Sequence, residues 1–146
     1  MRRLLSAIAK PFTETTGLAR WMLVAGVVIT AVFVPDAAHA SHSSYLKVRD
    51  RSEFEFALAS AAVGLELSGG TIRNARVALG GVGTKPWRSR EAERVLTGKS
   101  PTTGTFREGA EAALADAVPH EQNRFKIELA KRTLVRSLTD LAGGAA

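Results

Sequence analysis

The chain has 146 residues, 45% of them apolar, and a net charge of +6. That length holds a single domain, and the apolar fraction supplies a core, which excludes a disordered chain. The absence of cysteine excludes disulfides, cysteine-ligated iron–sulfur or zinc sites and thiol catalysis.

The charge divides as +2 over residues 1–40 (four basic, two acidic) and +4 over residues 41–146 (sixteen basic, twelve acidic). A mild, interspersed excess suits an acidic partner surface or an anionic ligand, and is too diffuse to mark a nucleic-acid site.

Residues 1–26 are weakly patterned and form an unassigned leader, with Arg2, Arg3, Lys10 and Arg20 as their basic residues and Pro11 interrupting any early helix. Residues 21–40, "WMLVAGVVITAVFVPDAAHA", support two readings. Arg20, fifteen apolar or small residues from Trp21 to Pro35 and the triplet Ala38-His39-Ala40 meet the requirements of a cleaved signal, with a mature N-terminus at Ser41. Alternatively, "VVITAVFVP" (27–35) is a β-branched strand stopped by a proline.

Strands continue through residue 87. "SSYLKVRDR" alternates Tyr45, Lys47, Arg49 and Arg51 against Leu46, Val48 and Asp50. "FEFALASAAVGLEL" places Phe54, Phe56 and Leu58 on one face, then Val63, Leu65 and Leu67, with a bulge or helical turn expected between Ser60 and Ala62. Ser68-Gly69-Gly70 is a turn, and "TIRNARVALGG" is the next strand, with Ile72, Val77 and Leu79 apolar.

From Ser89 the pattern becomes helical. Ser89, with Glu91 and Glu93, starts a short helix through Leu96 that Gly98 ends. A second helix is expected over 105–118, with Thr105 and Glu108 as its capping box and Pro119 as its stop. A third runs from about Asn123 to Leu141, carrying Phe125, Leu129, Leu134, Leu138 and Leu141 on one stripe. Strands followed by three helices predict an α+β sandwich: a small antiparallel sheet of three to four strands, covered on one face by about three helices. Phe125 and Leu129 are expected to be central in closing it.

No self-contained catalytic or metal site emerges. His39 and His42 sit in a small-residue joint and His120 in a loop, none spaced with carboxylates as metal ligands. Ser43 and Ser44 lack an elbow motif. "GGVGTKPW" (80–87) has neither phosphate-loop nor dinucleotide spacing and reads as a tight strand-to-helix turn. Lys126, Lys131, Arg132 and Arg136 flank an apolar stripe, as in any soluble amphipathic helix, so no nucleic-acid partner is expected.

The blocks "SSYLKVRDRSEFEFALASAAVGLEL", "GGTIRNARVALGGVGTKPWR" and "NRFKIELAKRTLVRSLTDLA", in order over residues 43–142, resemble the C-terminal domain of the FAD-binding subunit of bacterial molybdenum hydroxylases. This is the xanthine dehydrogenase, aldehyde oxidoreductase and carbon monoxide dehydrogenase family, in its form with separate flavin, iron–sulfur and molybdenum chains. The resemblance reaches back to "VVITAVFVP", which fits the strand closing the family's flavin domain. The remainder of that domain has no counterpart upstream of Val27. Residues 27–40 are thus a remnant of the closing strand or a signal-like segment, and 41–146 the C-terminal domain.

The resemblance implies FAD as cofactor, gripped weakly or not at all by this chain alone. It also implies a molybdopterin-binding large subunit and a 2Fe–2S small subunit as partners, which hold the molybdenum cofactor and the clusters. The expected role is support of electron transfer from the clusters to FAD during oxidation of a purine or aldehyde-type substrate, by a subunit or fragment not active alone. Two positions carry over toward the flavin: Ile29, whose backbone would lie against the ring, and Lys47 on the first strand of the domain. A cytoplasmic location without membrane attachment is expected, or an exported one if residues 1–40 act as a signal. The contrasting reading is a small exported basic binding protein with no cofactor.

Overall fold

The computed structural model describes residues 30–33, 35–52 and 54–143. Contacts divide the chain into two units, Met1–Pro35 and Asp36–Ala146. In the first, Thr30–Phe33 and Pro35 carry no regular secondary structure; Val27, Val28, Ile29 and Val34 lie outside the described residues.

The second unit opens with a 3-10 turn, Ala38–Ala40, and then builds one antiparallel sheet in the order β1-β2-β3-β4. Its strands are β1 (Ser43–Val48), β2 (Ala59–Ser68), β3 (Thr71–Gly80) and β4 (Trp87–Arg88). Three helices follow: α1 (Arg90–Leu96), α2 (Thr103–Ala113) and α3 (Phe125–Gly143). α3 packs on β1 and β2, α1 packs on β3, and α2 wedges against both helices. The expected α+β architecture is therefore present, with four strands and three helices in the described residues.

β2 and β3 are joined at Gly69-Gly70, with φ values of 57° and 74°. Both lie in the left-handed region that a two-residue hairpin turn requires and that glycine adopts without a Cβ clash. Between Glu66 and Leu67 the register shifts, so that Arg73 is the extra residue. One inserted residue reverses which parity faces the helices. Ile72 points into the core before the bulge, and Ala75, Val77 and Leu79 point into it after. The irregularity is here; β2 runs without a break through the Ser60–Ala62 segment where a bulge or turn is expected from the sequence.

The apolar face differs from the sequence reading in two places. Phe54 and Phe56 precede β2 and are fully exposed, at 108% and 95%. Ala59 and Ala61 occupy the buried face instead, opposite Val48 and Leu46. On α3 the buried stripe is Ala130, Leu134, Leu138 and Leu141, whereas Phe125 is exposed and Leu129 only half-buried. Small side chains on β2 present a flat surface, and the helix meets it through the leucines in the middle and last turns.

Helix starts follow side-chain capping. The Ser89 hydroxyl accepts from the Ala92 N–H at 3.1 Å, as the sequence predicts for α1. For α2 the cap is Thr102, whose hydroxyl accepts from the Thr105 N–H at 3.3 Å, and the helix ends at Ala113. Glu108 pairs with Lys99 rather than closing a capping box with Thr105. Pro119 falls in the loop beyond that end.

Candidate functional site

The helices cover one face of the sheet and leave part of the other open. On β1, Ser44, Leu46 and Val48 turn toward the helices, and Tyr45 and Lys47 turn away, paired with Ala62 and Ser60 of β2. Ala62 is exposed; Ser60 is buried, its hydroxyl seated over Gly80. Small residues in the middle of this face leave it low, with Tyr45 and Lys47 rising along one side.

The long β1–β2 connection returns to the same end of the sheet. The Leu58 N–H donates to the Val48 carbonyl at 2.9 Å, and the Lys47 ammonium donates to the Glu55 carbonyl at 2.5 Å. The Arg51 N–H donates to Glu55 Oε2 at 3.1 Å. The neighbouring Asp50 carboxyl, sharing a hydrogen bond with Glu55, pushes the Glu55 carboxyl above its ordinary value of 4.5, and partial desolvation adds to this. Lys47, Arg49, Phe54 and Phe56 border one open hollow. With Ser52 and Glu55 also at its border, it combines two cations and one carboxyl with two solvent-facing aromatic rings. Such a surface can receive a flat, electron-rich or anionic group; it holds no nucleophile paired with a base.

Gly81 keeps this end in place. At φ 74° its added Cβ would stand 2.9 Å from the carbonyl oxygens of both Ala57 and Leu58. Replacing Gly81 with alanine is therefore expected to cost about 1–2 kcal/mol. It should also speed amide exchange at Leu58, which thermal melts and hydrogen exchange would read; unchanged exchange there would refute the close approach.

A second polar cluster lies at the opposite edge. Glu93 on α1 accepts from Arg88 Nε through Oε1 at 2.9 Å and from Arg88 Nη2 through Oε2 at 3.0 Å. Its Oε1 also accepts from the buried Val77 N–H at 3.2 Å, and Arg76 Nη1 stands 3.9 Å from Oε2. Burial pushes the Glu93 carboxyl up, but the Arg88 and Val77 hydrogen bonds and the charges of Arg88 and Arg76 outweigh it, holding the group below 4.5. Read from sequence, Glu93 is only a first-turn acid. The available signal was spacing: Arg88 precedes the Ser89 cap by one residue and Glu93 follows it by four, so one helical turn brings them together.

Of the two sequence-predicted positions, Lys47 stands at the rim of the open face, and Ile29 lies outside the described residues. Phe54 and Phe56, assigned by sequence to the core, belong to the exposed hollow. Among the described residues no group of three His, Asp or Glu side chains is placed to hold a metal, and no helix is long and apolar enough to cross a membrane.

Residues 44–141 match the family model of the CO dehydrogenase flavoprotein C-terminal domain. The chain is 39% identical over 122 residues to the aldehyde oxidoreductase FAD-binding subunit PaoB of Escherichia coli, covering 81% of this chain and 34% of that one. It is 27% identical over 136 residues to the glyceraldehyde dehydrogenase medium chain of Sulfolobus acidocaldarius, covering 90% and 45%. The chain thus spans between a third and a half of the curated relatives it matches. Among solved structures it is similar to quinoline 2-oxidoreductase from Pseudomonas putida 86, with a TM-score of 0.66, 30% identity and coverage of 71% and 38%. Carbon monoxide dehydrogenase from Hydrogenophaga pseudoflava gives a TM-score of 0.64 at 29% identity, covering 74% and 38%.

Proposed function

This chain belongs to the CO dehydrogenase flavoprotein C-terminal domain family, and we propose on that premise that it serves as the C-terminal domain of an FAD-binding subunit in a molybdenum hydroxylase. The observation that carries this reading is the coincidence of the family match, 44–141, with a sheet whose second face is partly uncovered, with Tyr45, Lys47 and Ala62 exposed on it. A flavin domain would cover that face. The names of two relatives, an aldehyde oxidoreductase subunit and a glyceraldehyde dehydrogenase chain, favour an aldehyde-type substrate over a purine. The substrate would be oxidised on a large molybdopterin-binding subunit, and electrons would reach FAD through a small 2Fe–2S subunit.

The residues fit one end of FAD. Lys47 supplies a cation at the rim of a low face that a planar ring can approach, whereas the sequence has no glycine loop with dinucleotide spacing for the pyrophosphate. When bound, FAD would accept electrons and pass them on. Lys47 would stabilise negative charge gained by the ring on reduction, and the Glu55 carbonyl would hold its ammonium in position. Phe54 and Phe56 would meet the covering domain, which accounts for their exposure here.

In a complete subunit, with a flavin domain joined ahead of this chain, Lys47→Ala is expected to lower the reduction potential of the bound flavin. The thermal melt should barely change, since Lys47 is exposed. Spectroelectrochemical titration makes the measurement, and an unchanged potential in a fully flavinylated variant would defeat the assignment.

A further inference from the structure

The β4 edge of the sheet presents a second surface, independent of the flavin reading. β4 is two residues long, and among the described residues its outer side pairs with no strand. Three elements bring arginines to it: β3 contributes Arg76, β4 contributes Arg88, and α1 contributes Arg90 and Arg94. They line one groove with Glu91 and Glu93. Four cations against two carboxylates leave a local charge of +2.

Glu93 faces inward and is saturated. Arg88 engages both of its oxygens and the Val77 N–H engages Oε1, so its charge fixes the Arg88 guanidinium rather than facing solvent. Arg76, 3.9 Å away, is held by the Asn74 side chain at 2.6 Å and the Ala75 carbonyl at 2.9 Å. Arg88 uses two of its five N–H groups on Glu93 and keeps three for an outside acceptor. Its half-exposed side chain is immobilised beforehand, which lowers the entropy lost on binding. Arg94 makes only an exposed contact of 3.4 Å with Glu91, a pair worth little, and Arg90 is in none of the ion pairs among the described residues. Trp87, the half-exposed strand neighbour of Arg88, pairs with Leu79 and lies outside this groove. Arginine is one of the residue types on which interface energy concentrates.

We infer that the β4 edge, through Arg76, Arg88, Arg90 and Arg94, docks an acidic segment of a partner polypeptide. Planar guanidinium forks match carboxylates bidentately. The net charge is modest and Glu91 interrupts it, which suits spaced carboxylates rather than a continuous phosphate backbone.

The test uses the full chain and a fluorescein-labelled peptide of alternating glutamate and leucine, read by fluorescence anisotropy. Saturable binding that weakens as ionic strength rises is expected. The double variant R90E/R94E, whose side chains lie outside the Glu93 clamp, should bind about tenfold more weakly at an unchanged melting temperature. Should that variant melt early, R90Q/R94Q takes its place and should show a smaller loss in the same direction. Equal affinity in the folded variants would overturn the proposal. So would equal or tighter binding of the matching lysine–leucine peptide or of a single-stranded oligonucleotide, or full competition by inorganic phosphate at the peptide's own concentration.

Discussion

Replacing Leu134 with alanine is expected to lower stability by about 2–5 kcal/mol, a large share of the about 5–15 kcal/mol that holds a domain together. Leu134 is fully buried at mid-length in α3, where the helix meets β1, β2 and α2. Truncation removes its transfer free energy and leaves a cavity that three elements cannot all close. Leu129→Ala is the informative comparison. That residue is half-buried five positions earlier, about 140° round the helix, so its loss should be distinctly smaller, although the sequence reading sets both leucines on one stripe. Urea unfolding of both variants decides the point; equal losses would mean that the helix packs through its first turns as well.

Replacing Glu93 with alanine is expected to cost about 2–3 kcal/mol, more than any exposed ion pair on the surface. The change leaves the buried Val77 N–H without an acceptor and releases Arg88 from its anchor, while Arg76 keeps its hydrogen bonds to Asn74 and Ala75. The half-exposed Arg88 recovers water, which keeps the loss below that of a fully buried pair.

The pH dependence follows from the direction of the Glu93 shift. Its folded value lies below the ordinary 4.5, so the stabilisation is complete above pH about 4.5 and is lost as pH falls through the lower folded value. The parent should therefore lose melting temperature on acidification more steeply than Glu93→Gln, which carries no titrating group there. Glu55, shifted upward by Asp50, is common to both proteins and cancels in the comparison. Parallel melting curves between pH 6 and pH 3 would show that Glu93 contributes nothing as a carboxylate.

Local signals were legible in the sequence because their causes are local. The alternation of β1, the Gly69-Gly70 hairpin, the Ser89 cap and the long third helix each rest on residues within a few positions of one another. They were enough to set the α+β class and the order of strands before helices. Lys47 was reached through resemblance, and the strand alternation already put it on the face opposite Leu46 and Val48.

What the tertiary structure decided was which apolar residues are covered. Phe54-x-Phe56-x-Leu58 alternates as a half-buried strand does, yet the two phenylalanines stand in a loop over no second layer, while Ala59 and Ala61 take the helix-facing positions. Periodicity states that a side chain can be buried; only the approach of another element states that it is. The Arg73 bulge, which sets the parity of β3, depends on pairing with Glu66 and Leu67 across a turn. The Glu93 clamp likewise needs β3 to bring Arg76 and the Val77 amide to a helix that begins seventeen residues after Arg73. Each of these turns on distances between elements, and a chain read one residue at a time carries no such distances.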